Sequence, residues 1–339
     1  MRQAGMIRLL IALLLLACLT GTAVAADMEI TPFRTANQSP LVQIFGLPAE
    51  SDATITPSGH FTINVTQDVA SDYTVSTTSR EQIILDGESY RWTLAARYGI
   101  GSRFEAGIEL PYVLYGGGFL DSFIVDWHKF FNLPQGGRNY ASKDKLNFAY
   151  YKDGVQKLRV NRADSGIGDI SLNAGMKLYE AGDGEYHDSL VLRTGLKLPS
   201  GDSASLQGSG STDFNLSLCG SMNNFTEWGA LGVFGSLGGM VMSDGDVLRD
   251  QQNNLAGFGT AGLGWGPTPW ISFKFQVNWN TPLYRDSSLA ELSRTSVMLV
   301  SGGALLLPAD YRLDIGVTED VAVATAPDVA FHLGLSKRF

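Results

Sequence analysis

The sequence predicts an all-β fold, a transmembrane antiparallel β-barrel of about 12 strands in a bacterial outer membrane. Three observations carry that expectation. Segments of about ten residues alternate between an apolar face and a face bearing Arg, Lys, Asp, Glu, Ser and Asn. After the first 25 residues no apolar run is long enough for a membrane-spanning helix, so any crossing falls to strands. The last segment, 328–339, alternates down to a terminal aromatic, Phe339.

Taken in chain order, residues 1–25 read as a signal peptide. Arg2 and Arg8 form its basic start, Leu9 to Leu16 its apolar core, and Ala23-Val24-Ala25 its small-residue cleavage site. Leu15-Leu16-Ala17-Cys18 also outlines a lipoprotein box, but Leu16 suits that box poorly and the later cleavage site is the better one. Residues 26–58 are apolar and punctuated by Pro32, Pro40, Pro48 and Pro57, unlike a solvated linker. A plug in the lumen, a segment packed beneath the barrel and an ordered tail all remain open for it.

Residues 59–339 form the barrel. In Ser89 to Ile100, Tyr90, Trp92, Leu94, Ala96 and Tyr98 share one face, against Arg91, Thr93 and Arg97 on the other. Ser102 to Tyr115 repeats the pattern after a turn at Gly101-Ser102. Further strands are expected at Phe61 to Val69, Ile170 to Leu178, Leu190 to Leu198, Phe214 to Met222, Ile271 to Trp279, Tyr311 to Val317 and Val329 to Phe339. Gly-, Ala- and Val-rich strands near 229–243, 255–265 and 296–307 complete an even set whose facing the pattern does not assign.

Loop lengths test this independently. Connections near Gly101, 180–188, 223–227, 266–269 and 308–310 are short, as periplasmic turns are. Those at 71–80, 116–165, 199–210, 244–254, 280–295 and 318–327 are longer, as outer loops are. Tyr98, Phe104, Tyr179, Trp228, Trp265, Trp270, Tyr311 and Phe339 fall at inner strand ends, where an interfacial girdle belongs. A secreted β-sandwich also alternates, but it gives no reason for charged residues in mid-strand or for this asymmetry of loops.

The expected lumen lining is Arg91, Arg97, Arg103, Glu105, Glu109, Lys177, Arg193, Lys197, Lys274, Arg312 and Asp314, joined by Arg338, Asp169, Asp213 and Asp328. This mildly basic wall either favours small anionic solutes or pairs across the lumen and partly fills it. The 116–165 segment is too long for a structureless connection. Phe119, Phe123, Trp127 and Phe130 lie on one face of a short amphipathic helix within it, a candidate gate at the mouth, an anchor in the outer leaflet or a cap on the rim.

Other chemistries find little support. Loss of the leader removes Arg2 and Arg8 and no acidic group, taking the formal net charge from -9 to -11 and disfavouring nucleic acid as a partner. Cys219 is then the one cysteine left, so no internal disulfide forms. No cofactor is expected, since Gly166-Ile167-Gly168 and Gly262-Leu263-Gly264 precede no helix that would hold a phosphate. Asp244, Asp246 and Asp250 lack EF-hand spacing. His332 and Ser336 share a strand face about 13 Å apart, beyond reach of one another, so an enzyme is not expected.

The run Pro32-Phe33-Arg34-Thr35-Ala36-Asn37-Gln38-Ser39-Pro40, then Ile44-Phe45-Gly46-Leu47-Pro48 and the 119–138 stretch ending Leu133-Pro134-Gln135-Gly136-Gly137-Arg138, resembles an uncharacterised family of proteobacterial outer-membrane proteins known only as a domain of unknown function. A looser similarity links Gly166-Ile167-Gly168-Asp169-Ile170 and Leu196-Lys197-Leu198-Pro199-Ser200-Gly201-Asp202 to transporters of the phenol meta-cleavage pathway. The resemblance implies a barrel and a passive channel or transporter for small molecules, with the solute open. A closed barrel with a structural or surface-interaction role is the alternative, and a lipid-modifying enzyme a distant third. The expected partners are outer-membrane lipids and the barrel-assembly machinery, the latter through the C-terminal strand ending at Phe339.

Overall fold

The computed structural model describes residues 28–120, 126, 144–321 and 325–339. Among them, one antiparallel sheet is built from β1 (Phe61–Thr77), β2 (Glu81–Ile100), β3 (Phe104–Gly116), β4 (Asn147–Lys152), β5 (Val155–Val160), β6 (Asp164–Ile167), β7 (Ser171–Gly182), β8 (Tyr186–Lys197), β9 (Asp213–Thr226), β10 (Gly229–Met242), β11 (Leu255–Thr268), β12 (Ile271–Asn280), β13 (Ser296–Leu307), β14 (Tyr311–Asp320) and β15 (Val329–Arg338). Strands β1, β2, β3 and β7 to β15 pair in sequence, and β15 closes on β1 from Thr62↔Arg338 to Ser71↔Val329. This is the twelve-stranded closed barrel that the alternation predicts. Closure matters because it leaves no unpaired edge within the hydrocarbon.

At one end the connections are the turns 101–103, 183–185, 227–228, 269–270 and 308–310. Gly101 takes φ 60°, the left-handed conformation its tight turn needs. By their shortness these turns mark the periplasmic side. At the other end two expectations need correction. The connection placed at 71–80 is mostly strand: β1 and β2 stay paired from Ser71↔Glu88 to Thr77↔Gln82. The 116–165 segment is not one loop either, for it contains the β4–β5 hairpin, joined to the upper part of β2, and β6, joined to β3. These extensions rise past the membrane, so their outer faces need not be apolar. The alternation that reveals a lipid-facing strand fades there.

The exterior carries exposed Leu94, Ile108, Leu110, Leu172, Leu216, Leu218, Val233, Phe275 and Leu333. Exposed Phe61, Tyr98, Phe104, Tyr179, Trp228, Trp265, Trp270 and Phe339 ring the periplasmic end. On the β2–β3 wall Tyr90 stacks on Trp92, and Trp92 lies 6.3 Å from Tyr112, an aromatic set at the outer boundary. From Tyr90 to Ile100 a tilted strand rises about 25 Å, the height of an outer-membrane apolar band. The protein therefore resides in the outer membrane, with lipid as the solvent of its outer face.

Candidate functional site: the occupied lumen

A ribbon formed by residues 28–56 runs through the barrel. Its first limb ascends beside β12 in constant register. Lys274 Nζ donates to the Thr31 carbonyl (3.0 Å), the Gln276 amide accepts from the Phe33 N–H (2.7 Å) and donates to its carbonyl (3.2 Å), and Asn278 Nδ2 donates to the Thr35 carbonyl (3.2 Å). Every second residue of a strand faces the lumen, so three polar side chains at that period form a comb that an extended chain fits. Asn223 Oδ1 of β9, three strands away, accepts from the Ile30 N–H (2.8 Å). The chain turns at 39–45 and descends: Asp213 takes the Gly46 N–H (2.7 Å), Arg193 donates to the carbonyls of Asp52 and Thr54 (2.6 Å each), and Glu105 takes the Thr56 N–H (2.7 Å). Backbone groups held away from bulk water need partners, and wall side chains supply these.

The charges are paired as well. Arg34 of the ribbon binds Glu109 of β3 and Glu50 of the descending limb. Arg97 reaches Glu50 (3.0 Å) and Glu105 (3.4 Å), and Arg193 reaches Glu105 (2.6 Å), which joins three guanidiniums and three carboxylates. Lys197 contacts Asp169, with Asp213 at 3.4 Å and Ser209 Oγ at 2.7 Å. Lys274 and Arg312 share Asp314, and Lys274 Nζ sits 3.8 Å from the centroid of Phe33. Arg91 donates to the Gln43 carbonyl (3.1 Å). Desolvated ions are tolerated in such matched sets because each neutralises its neighbour.

Of the expected lumen residues, Arg91, Arg97, Glu105, Glu109, Arg193, Lys197, Lys274, Arg312 and Asp314 face inward. Arg103 does not. It is exposed in the turn between β2 and β3, where the hairpin needs three residues and the alternation has already ended. Lys177 lies at the periplasmic rim, paired with Glu180 (2.5 Å) beside a register shift in β7. Arg338 is exposed at the mouth.

The gate assignment needs correction at Phe119, which is 69% exposed. Its N–H and that of Leu120 bind Glu88 Oε1, and Leu120 packs with Val69, Val317, Val329 and Phe331 on the outer face of the wall. Phe119 and Leu120 therefore lie on the outside of the barrel, because those apolar side chains face lipid and offer the contact. Phe123, Trp127 and Phe130 lie outside the described residues. What closes the outer mouth is an apolar cluster in which Leu41, Val42, Ile44 and Phe45 of the ribbon's turn meet Tyr115, Phe148, Tyr150, Leu206, Met240 and Leu292.

Sequence reasoning missed Arg34, Glu50, Asn223, Gln276, Asn278 and Asp68. Gln276 and Asn278 carried a signal in their period with Lys274, whereas the ribbon residues carried none that placed them against a given strand. Asp68 Oδ1 accepts from Thr35 Oγ1 (3.0 Å) and lies 2.8 Å from His332 Nδ1, while Ser336 lines the periplasmic vestibule instead. Spaces left in the lumen include a mid-lumen cavity of about 70 Å³ lined by Arg34, Glu50, Asp68, Arg91, Glu109 and Lys197, and a vestibule of about 490 Å³ lined by Arg97, Arg312, Lys337 and Phe339.

Residues 8–339 match the family described as Protein of unknown function (DUF3187). The chain belongs to that family. The DUF3187 barrel is also similar to the COG4313 outer membrane channel from Pseudomonas putida F1, at 15% identity and a TM-score of 0.52 over 86% of this chain and 99% of that one, a likeness of fold. The translocator domain of autotransporter NalP from Neisseria meningitidis aligns at 11% identity and a TM-score of 0.42, covering 85% of this chain and 91% of that one. LpxR from Salmonella typhimurium aligns at 7% identity and 0.41, covering 80% and 99%. No curated protein matches the DUF3187 sequence.

Proposed function

We propose that this DUF3187 protein is a passive outer-membrane channel for small polar molecules whose N-terminal ribbon is the closing element. One observation carries the reading: Arg193 of β8, Asp213 and Asn215 of β9, and Lys274 and Gln276 of β12 all direct hydrogen bonds to the backbone of a separate segment inside the barrel. Water can replace each of those hydrogen bonds at little net cost when the segment moves. A polar wall carrying Arg91, Arg97, Arg193 and Lys197 together with Glu105, Glu109, Asp169 and Asp213 would then line the path, which suits small polar solutes. The shared fold with a protein described as an outer membrane channel agrees with this reading. The chemistry asked of the protein is binding and exclusion, and no catalytic step is assigned. Phe339, at the end of the closing strand, is the feature we assign to the barrel-assembly machinery.

A closed barrel with a structural role is the second reading, favoured by the apolar cluster under the outer mouth. Planar-bilayer recording separates the two. The mature chain, a chain lacking residues 28–56, and G46C/D213C in a C219S background would be compared. A Cβ at position 46 would stand 3.0 Å from that of Asp213, close enough for a disulfide after a small shift. Steady conductance from the shortened chain, intermittent openings from the mature chain and silence from the oxidised variant, reversed by reductant, are expected. Silence from a folded, shortened chain would overturn the channel reading, and openings unaffected by the disulfide would overturn the ribbon as its closing element.

A further inference from the structure

We propose that the β4–β5 hairpin and its flanks form a docking surface for the phosphate groups of outer-leaflet glycolipid. The chain is acidic overall, yet between residues 144 and 162 it carries five basic side chains against two acidic ones. Lys145, Lys157, Arg159 and Arg162 are all exposed. Lys152 and Arg80 are engaged by Glu81 and Asp153 at the hairpin's tip.

Register fixes which way the β5 cations point. Phe148 and Tyr150 of β4, and Val160 and Leu158 opposite them on β5, turn toward the apolar cluster. Arg159, paired with Ala149, therefore projects from the opposite, outer face, and Lys157 stands at the neighbouring register shift. Charged residues on an edge strand also discourage strand-to-strand association, and β5 is such an edge. That role accounts for one or two cations on β5, but not for Lys145 and Arg162 on the flanks.

Height and lipid contact select the occupant. Asn147 pairs with Asp86, two residues beyond Glu88 and just above the boundary marked by Tyr90 and Trp92. A Cβ at Gly117 would lie 2.0 Å from the Asp144 carbonyl, so the chain returns beside the point where it left. There Leu120 rests on lipid-facing Val69 and Phe331. Lys145 and Arg162 thus stand at the rim of the apolar belt, where an anionic lipid presents its headgroup, and their attraction to it is electrostatic and reduced by salt.

The inference is independent of the channel reading. Its test uses the full mature protein in detergent, titrated with a bisphosphorylated lipid A-type glycolipid, with its dephosphorylated form and with inorganic phosphate, read by native mass spectrometry. K145Q/K157Q/R159Q/R162Q should bind the phosphorylated lipid at least tenfold more weakly than the parent. R249Q/R285Q, which removes exposed cations from two other outer loops, should bind it unchanged. Heat-modifiable mobility on gels verifies the fold of each variant, and K157Q/R159Q alone should lose about threefold. Equal binding by the parent and the quadruple variant, equal binding of the dephosphorylated lipid, or full competition by inorganic phosphate would overturn the assignment. An equal loss in R249Q/R285Q would do so too.

Discussion

Arg34, on the ascending limb of the ribbon, is ion-paired with Glu109 of β3, and its other amino group holds Glu50 on the descending limb. One guanidinium thus ties both limbs to the wall at mid-lumen. Its planar fork suits two carboxylates in a way an ammonium does not.

Arg34→Met should therefore loosen the ribbon without opening the barrel wall. Breaking a largely buried pair from one side costs about 2–4 kcal/mol, because the carboxylates left behind are under-compensated. Glu109 keeps Asn173, and Glu50 keeps Arg97, which moderates the loss. The expected readouts are faster proteolysis within residues 28–56 and more frequent openings in bilayers, with heat-modifiable mobility unchanged. An Arg34→Met protein as resistant to protease as the parent would show that the pair does not hold the ribbon.

The comb on β12 makes a residue-level prediction. Gln276 both accepts from and donates to Phe33, so Gln276→Ala leaves two buried backbone groups without their partner. Local opening should become easier by about 1–3 kcal/mol, which is roughly a five- to 150-fold faster amide exchange at Phe33. Amides in the ladder between β12 and β13 should exchange as before. Uniform acceleration across the barrel would mean that Gln276 supports the wall rather than the ribbon.

The barrel was largely legible in the sequence because lipid on one face and polar lumen on the other impose a strict two-residue period between short turns. Leu216 and Leu218 outside with Asn215 and Ser217 inside show the rule at work. Where that two-solvent constraint ends, so does the signal: the pattern places a connection over 71–80, where β1 continues to Thr77, and assigns no strand to 81–88, although Ile83 and Leu85 continue the inward face of β2. The occupied lumen was half-legible. Its wall residues follow from parity, but Arg34 and Glu50 lie on extended, proline-marked backbone whose partners are set by tertiary threading alone. Phe119 misled for a related reason: an aromatic stripe tells that a helix has an apolar side, not which surface it meets.

The outward placement of Phe119 and Leu120 is testable at Gly118. It has φ 72°, and a Cβ there would stand 1.7 Å from the Glu88 carboxyl carbon. Gly118→Ala should displace Glu88 from the N–H groups of Phe119 and Leu120 and free Leu120 from the outer wall. Loss of those hydrogen bonds, together with the backbone strain, should cost about 2–3 kcal/mol locally. A fluorophore attached at Leu120→Cys, with Cys219 replaced by Ser, should be quenched by lipid-borne quenchers in the parent and less so with Gly118→Ala. Absence of lipid quenching in the parent would place the segment away from the membrane.

Leu218 and Leu237 are cross-strand partners on the outer face, near the middle of β9 and β10, whereas Leu255 opens β11 at its outer rim. All three are exposed apolar side chains, so in water they would be equivalent surface defects. In a bilayer they are not, because the cost of an arginine depends on depth. Leu218→Arg should destabilise the barrel by about 2–4 kcal/mol, and Leu255→Arg by about 0–1 kcal/mol, since its guanidinium can reach the headgroups. Reversible urea unfolding from lipid vesicles measures both. Equal, small effects at the two positions would show that lipid does not solvate this face, and the membrane-spanning reading of the strands would fall with that result.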